Sequence, residues 1–174
     1  MRTLTYYVAT SIDGFIAHQD GSWDGFLGEG QHVTDYIESL QWFDAVVMGR
    51  KTYEVGLKQG VTDPYPHMES YVFSRTLGTS PDARVQVVAE NPEERVRQLK
   101  QAPGGKIYLC GGAELAATLF AAELVDEVML KLNPFLMGTG IPLFSHVIPQ
   151  TALQLIDSKI YDTGVIWLHY RVQQ

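Results

Sequence analysis

The chain has 174 residues, 45% of them hydrophobic and 19% charged, with a formal net charge of −7. That composition suits an ordinary folded domain, no apolar run approaches the ~18 residues that span a bilayer, and the acidic balance argues against the basic stripe of a general nucleic-acid binder. A single cysteine, Cys110, excludes an intrachain disulfide; with no apolar leader and cleavage pattern after Met1, the expectation is a cytoplasmic protein that binds neither nucleic acid nor membrane.

Residues 3–9 (TLTYYVA) read as a first strand, followed by a loop rich in Gly and Asp. Val33, Tyr36, Ile37 and Leu40 recur at helical spacing, which predicts a helix over 31–42. Strand-like runs follow at 44–48, 70–74 and 85–88. The stretch ENPEERVRQLKQ carries helix-start signals: Asn91 as cap, Pro92 in the first turn, and Glu93 and Glu94 at the positive end of the dipole. Gly104-Gly105 stops that helix, and 106–109 is a strand. Gly111-Gly112 opens a helix through about residue 121, with Leu115 and Leu119 on a face read as core. Residues 125–133 form another strand, and 153–161 and 165–172 form a hairpin around Asp162-Thr163-Gly164. Strands alternating with helices predict an α/β domain with a mainly parallel sheet and an antiparallel C-terminal edge. Nothing marks an internal boundary, so one domain over residues 1–174 is expected.

Four loops carry candidate chemistry. In DAVVMGRKTYEVG, an apolar strand stops at Gly49, and Arg50, Lys51 and Thr52 follow. A helix starting there would present free amides, two cations and a hydroxyl at the carboxyl end of a strand, where phosphates bind. From GRKT alone, a solvated basic loop reads equally well. A P-loop is excluded: Asp44 occupies the place of its first glycine, and Arg50 intervenes before the lysine. In CGGAEL, Gly111 and Gly112 let a backbone approach a diphosphate closely. In FSRT, Ser74 and Arg75 suit a further phosphate. In ATSIDGFIA, Ala9 and Ala17 leave room for a flat ring, and Asp13-Gly14 marks a turn. The five histidines show no metal-ligand spacing, no serine-hydrolase elbow is present, and Cys110 reads as packing.

The succession SIDGFIA, VVMGRKTYE, YVFSR, IYLCGGAEL and LVDEVMLKLNPFLMGTGIPLF resembles the dihydrofolate reductase-like superfamily. It is most similar to the branch containing the reductase domain of bifunctional riboflavin-biosynthesis deaminase-reductases, over residues 3–170. The resemblance implies a three-layer α/β fold with a mixed sheet of about eight strands and helices on both faces. It also implies NADPH as cofactor, a small-molecule substrate and a homodimer. Gly49, Arg50, Lys51 and Thr52 would hold the cofactor phosphates, Ser74 and Arg75 the 2′-phosphate, and Gly111, Gly112, Ala113 and Glu114 the diphosphate. Ala9, Ile16 and Ala17 would line the nicotinamide.

The chain departs from both branches on the substrate side. Tyr7 stands where riboflavin-pathway reductases carry a lysine, and the zinc deaminase motif is absent. Dihydrofolate reductases place a carboxylate early in the first helix; here Asp24, Asp35 and Glu38 are the nearest acids, without clear register. Asp13 is the first candidate for a substrate or proton role and Asp35 the next, with Trp23 and Tyr53 as candidates for stacking on a planar substrate. The leading expectation is an NADPH-dependent reductase acting on a C=N or C=O of a pterin-like or ribosylaminopyrimidine-like compound. A second is an NADP(H)-binding sensor or structural dimer without turnover. A third is a phosphate-binding transferase, which ATP rather than NADPH would stabilise.

Overall fold

The computed structural model describes residues 1–173. Strand β1 (Leu4–Thr10) is followed by a short strand β2 (Phe15–Ala17), which turns back through Gly14. The φ of 85° at Gly14 is one that glycine adopts without strain. Helix α1 (Gln31–Ser39) and a 3-10 turn, Leu40–Trp42, lead into β3 (Phe43–Gly49), and α2 (Arg50–Lys58) begins directly at its end. Then come β4 (Glu69–Phe73), β5 (Val85–Val88), α3 (Pro92–Gln101), β6 (Lys106–Gly111) and α4 (Ala113–Ala121). The chain finishes with β7 (Glu127–Leu132), β8 (Ile141–Pro142), β9 (Leu153–Ile160) and β10 (Ile166–Val172).

The main sheet has eight strands in the order β5-β4-β3-β6-β1-β7-β10-β9. Its first six strands run parallel, and β10 and β9 close the edge antiparallel. This is the mixed, dihydrofolate reductase-like sheet that the sequence resemblance implies. Alternation along the strands feeds two cores. Ala45 and Val47 of β3 face one side with Leu4, Ile107 and Leu109, under Val96 and Leu99 of α3 and Leu115 and Leu119 of α4. Val46 and Met48 face the other with Tyr7 and Tyr108, under Tyr53 of α2 and Tyr36 of α1. Helices therefore cover both faces. Each fully enclosed aliphatic side chain contributes about 1.5–3 kcal/mol to keeping these layers together.

Local details depart from expectation. β2 and β8 form a separate two-stranded pair, each too short to leave a period in the sequence. The first helix stops at Ser39, whose hydroxyl donates back to the Tyr36 carbonyl, and the last predicted turn tightens to 3-10 geometry. Asn91 occupies the cap position of α3 but makes no side-chain capping bond; it sits at φ 52°, a left-handed conformation that Asn tolerates. Among the described residues no helix is long and apolar enough to cross a membrane.

Candidate cofactor and substrate site

Three of the four loops singled out above end up side by side. Across β3 and β6, Met48 stands in register with Gly111; across β3 and β4, Gly49 stands in register with Phe73. The turns carrying Ser74-Arg75, Gly49–Thr52 and Gly111–Glu114 therefore line the carboxyl edge in that order. Beyond β6 comes β1, with Ala9 near its end. Ile16 and Ala17 on β2 return toward that end, because the Ser11 amide donates to the Phe15 carbonyl.

Gly49 caps α2 with extended backbone (φ −78°, ψ 162°) and no side-chain cap, so the first-turn amides of that helix have no intrahelical partner. The Lys51 and Arg75 side chains are exposed, with no ionic or hydrogen-bond partner among the described residues. Arg50 Nε lies 3.8 Å from Glu54 Oε1, a half-exposed contact that holds it only loosely. The Thr52 hydroxyl accepts a 3.0 Å hydrogen bond from the Gly112 amide, joining the second turn to the third. The Ser74 hydroxyl accepts from the amides of Thr76 and Leu77, which shapes the turn holding Arg75. Ala113 is buried at the start of α4, and Glu114 is exposed beside it.

The glycines divide into two kinds. Gly111, at φ 127°, has backbone that only glycine adopts readily. Gly49 and Gly112 do not have positive φ, and a Cβ there would meet nothing nearer than 3.9 Å and 3.5 Å, respectively. Gly49 does not need glycine for the fold itself. The space left open lies against the first-turn amides of α2 and α4, so the cradle fits a diphosphate approaching the backbone.

The residues expected on the substrate side are placed differently. Asp13 accepts hydrogen bonds from the Ser11 hydroxyl (2.6 Å) and from the amides of Met137 (3.0 Å) and Gly138 (2.7 Å). These bonds, Ser11 foremost, hold its carboxyl down at about 2. In this arrangement it is an ionised acceptor that pins the loop after β7. Asp35 accepts from Gln31 (2.7 Å), from the Lys159 ammonium and from the Tyr161 hydroxyl (2.8 Å). Gln31 leads in lowering it to about 2, and the carboxylate ties α1 to the β9–β10 hairpin. It lines a cleft of about 300 Å³ that Tyr7, Trp42 and Trp167 also line. Trp23 is 51% exposed in the loop before α1. Tyr53 is only 1% exposed; its hydroxyl donates to the Thr62 carbonyl (2.6 Å) and meets the Ser80 hydroxyl at 2.7 Å. Its ring packs with Val46, Met48 and Val72 and leaves no face for a substrate, which corrects the stacking role expected for it.

Beneath the edge lies a polar cluster that the motifs do not mark. The Tyr36 and Tyr108 hydroxyls meet at 3.0 Å, and the Tyr65 hydroxyl meets Cys110 Sγ at 3.2 Å. Lys131 reaches in from β7, its Nζ 3.3 Å from the centroid of the Tyr36 ring and 5.4 Å from that of Tyr7. Burial pushes Tyr36 up to about 12 and raises the Cys110 thiol, so both are neutral at pH 7 and the cysteine acts as packing. Burial lowers the Lys131 ammonium to about 8. The available sequence signal was a lone lysine inside the apolar strand predicted at 125–133.

The sheet order and this glycine-lined edge define a dihydrofolate reductase-like α/β protein. The chain belongs to the RibD C-terminal domain family, whose model matches residues 2–167. It is 36% identical to the uncharacterized protein YwjB of Bacillus subtilis over 172 residues, 97% of each chain. Among solved structures, a Shewanella sp. PV-4 chain provisionally named a riboflavin biosynthesis protein superposes with a TM-score of 0.83 at 23% identity, covering 100% of both chains. The diaminohydroxyphosphoribosylaminopyrimidine deaminase/5-amino-6-(5-phosphoribosylamino)uracil reductase of Thermotoga maritima superposes with a TM-score of 0.70 at 14% identity. That alignment covers 99% of this chain and 57% of the larger enzyme. At these identities the superpositions establish the fold, and the family supports a reductase role.

Proposed function

We propose that this chain is a reductase that takes hydride from NADPH and delivers it to a C=N or C=O bond of a small heterocycle, pterin-like or ribosylaminopyrimidine-like. The observation that carries this reading is the open cradle that Gly49 and Gly112 leave at two helix N-termini, where at Gly49 the backbone does not require glycine. In this reading Gly49, Arg50, Lys51 and Thr52 hold phosphate oxygens, and the amides of Gly111, Gly112, Ala113 and Glu114 wrap the diphosphate. Ser74 and Arg75 receive the 2′-phosphate, while Ala9, Ile16 and Ala17 border the nicotinamide. NADPH supplies the hydride. The chain's own residues supply orientation and charge, which fix the reacting distance and exclude water.

Isothermal titration with NADPH and NADH tests the clamp. Arg75→Ala should weaken NADPH binding by roughly tenfold or more and leave NADH binding unchanged, because only the 2′-phosphate meets that fork. A wild-type protein that binds neither nucleotide would end this reading. Engagement of both Asp13 and Asp35 favours one rival, an NADP(H)-binding protein without turnover. Oxidation of NADPH on adding small imine or carbonyl compounds separates the two.

The homodimer belongs to the same proposal. Every residue of β9 is exposed, including Leu153, Leu155, Ile156 and Ile160, and the strand is the unpaired edge of the sheet. A long apolar edge of this kind is ordinarily covered. Sedimentation of wild type and Ile160→Lys should give a dimer and a monomer; a wild-type monomer at micromolar concentration counts against it.

A further inference from the structure

Lys131 stands in register with Ala9 of β1 on one side and Trp167 of β10 on the other. The three side chains therefore share one row on the α1 face of the sheet, at the end of the row where Ala9 approaches the carboxyl edge. The Lys131 ammonium faces the rings of Tyr36 and Tyr7, and among the described residues no hydrogen bond or ion pair reaches it. Largely enclosed cations are ordinarily paired, and ring faces replace only part of what water gives up. Two of the groups around it are already committed: Tyr36 to Tyr108 and Cys110 to Tyr65. The charge is thus held without an acceptor, in a residue that remains partly open to solvent.

The cleft of about 300 Å³ between α1 and the β9–β10 hairpin is lined by Tyr7, Trp42, Tyr161 and Trp167 and by Asp35, Glu38, Asp157 and Lys159; Lys131 stands behind that lining, next to Tyr7 and Trp167. A cleft of that size takes a small planar molecule, and its aromatic lining suits one.

We propose that Lys131 is the substrate-side residue of this site: it hydrogen-bonds the heteroatom of the reducible bond in a planar, oxo-bearing heterocycle held at the Tyr7–Trp167 end of the cleft, and gives that atom its proton. The inference rests on the NADPH-reductase reading. The carbon of the C=N or C=O bond takes the hydride, the π pair moves to the heteroatom, and a Lys131 N–H bond breaks to put the proton there. The two electrons are those NADPH supplies under that reading, and neutral Lys131 regains its proton from water. An ammonium brought down by burial to about 8 is charged at neutral pH yet gives up its proton readily.

The test uses lumazine, a fluorescent pteridine dione, as the probe, titrated without cofactor at pH 6.5 into wild type, Lys131→Met and Lys131→Arg. Methionine packs on the same rings without charge; arginine keeps the charge but does not release a proton. Lys131→Met should weaken lumazine binding by about tenfold or more, and Lys131→Arg by no more than about threefold, as for loss or retention of a charged hydrogen bond. A second readout needs no probe: in dimethyl-13C-labelled protein, the resonance missing from Lys131→Met should titrate well below the other lysines. Wild type that does not bind lumazine, or Lys131→Met that binds it undiminished, overturns the proposal. NADPH titration separates the two readings. Normal NADPH affinity in all three proteins with undiminished lumazine binding in Lys131→Met leaves the reductase reading standing without this residue. Loss of NADPH binding in wild type removes the reductase reading itself.

Discussion

The Thr52 hydroxyl accepts a 3.0 Å hydrogen bond from the amide of Gly112, 60 residues further along the chain. This contact ties the first turn of α2 to the turn before α4, so two glycine-bearing turns of the carboxyl edge are held in one geometry. Thr52→Val keeps the shape and removes the acceptor, leaving a partly buried amide unpaired. The expected cost is about 1–2 kcal/mol of stability, with a further loss of NADPH affinity. Thr52→Ser should restore both. Equal denaturation midpoints for wild type and Thr52→Val would show that the bond does not hold the turns together.

Gly49 gives a sharper test, because its backbone is extended and the protein has room for a Cβ there, with the nearest atom at 3.9 Å. Gly49→Ala should fold with a midpoint little changed and bind NADPH at least about tenfold more weakly, since the methyl enters the space the phosphates need. Unaltered affinity in calorimetry would mean that nothing occupies that space.

Lys131 makes stability depend on pH in a direction opposite to that of a paired lysine. Its folded value is about 8, whereas an unfolded lysine titrates near ~10.4. Between those values the unfolded chain binds more protons, so stability should rise as pH increases from about 8 to about 10. Below 8 the burial cost is present in full. Lys131→Met should therefore be more stable than wild type at pH 7, by about 1–2 kcal/mol after loss of the ring contacts, and should match it near pH 10. Thermal melts across that range check this, and a constant difference would show that the ammonium is not desolvated.

Asp13 works at the acid end. The Ser11 hydroxyl, with the Met137 and Gly138 amides, holds its carboxyl at about 2. The stabilisation is present above the ordinary Asp value and is lost as pH falls toward 2. Asp13→Ala should free the loop after β7, so that the Met137 and Gly138 amides exchange faster with solvent deuterium. Unchanged protection at those two amides would assign the loop's order to other contacts.

The alignment of three turns along the carboxyl edge was readable because each of them follows an apolar strand, and Gly49, Gly111 and Gly112 mark where the strands stop. Order along the chain then mattered more than any one motif. The surroundings of α1 and of the loop after β7 were harder to read because their parts come from separate places in the chain. Asp13 and Asp35 look alike in the sequence to free catalytic acids. Only the fold brings Met137 and Gly138 to the first, and Lys159 and Tyr161 to the second. Tyr53 follows GRKT directly, yet helical geometry turns it inward to the Thr62 carbonyl. Lys131 carries no local pattern; its meaning depends on Tyr7 and Tyr36, more than 90 positions earlier.

The strand order also governs how the chain can be built. Both neighbours of β1 are β6 and β7, which begin at Lys106 and Glu127. A nascent chain ending after Val88 has β3, β4 and β5 able to pair, but β1 has neither partner and the centre of the sheet is missing. Such long-range parallel pairing carries a loop-closure cost before any contact repays it, so folding is expected to be slow and to finish late in synthesis. Truncated products would display Leu4–Thr10 as an apolar strand with two open sides, which makes them natural clients of chaperones and proteases.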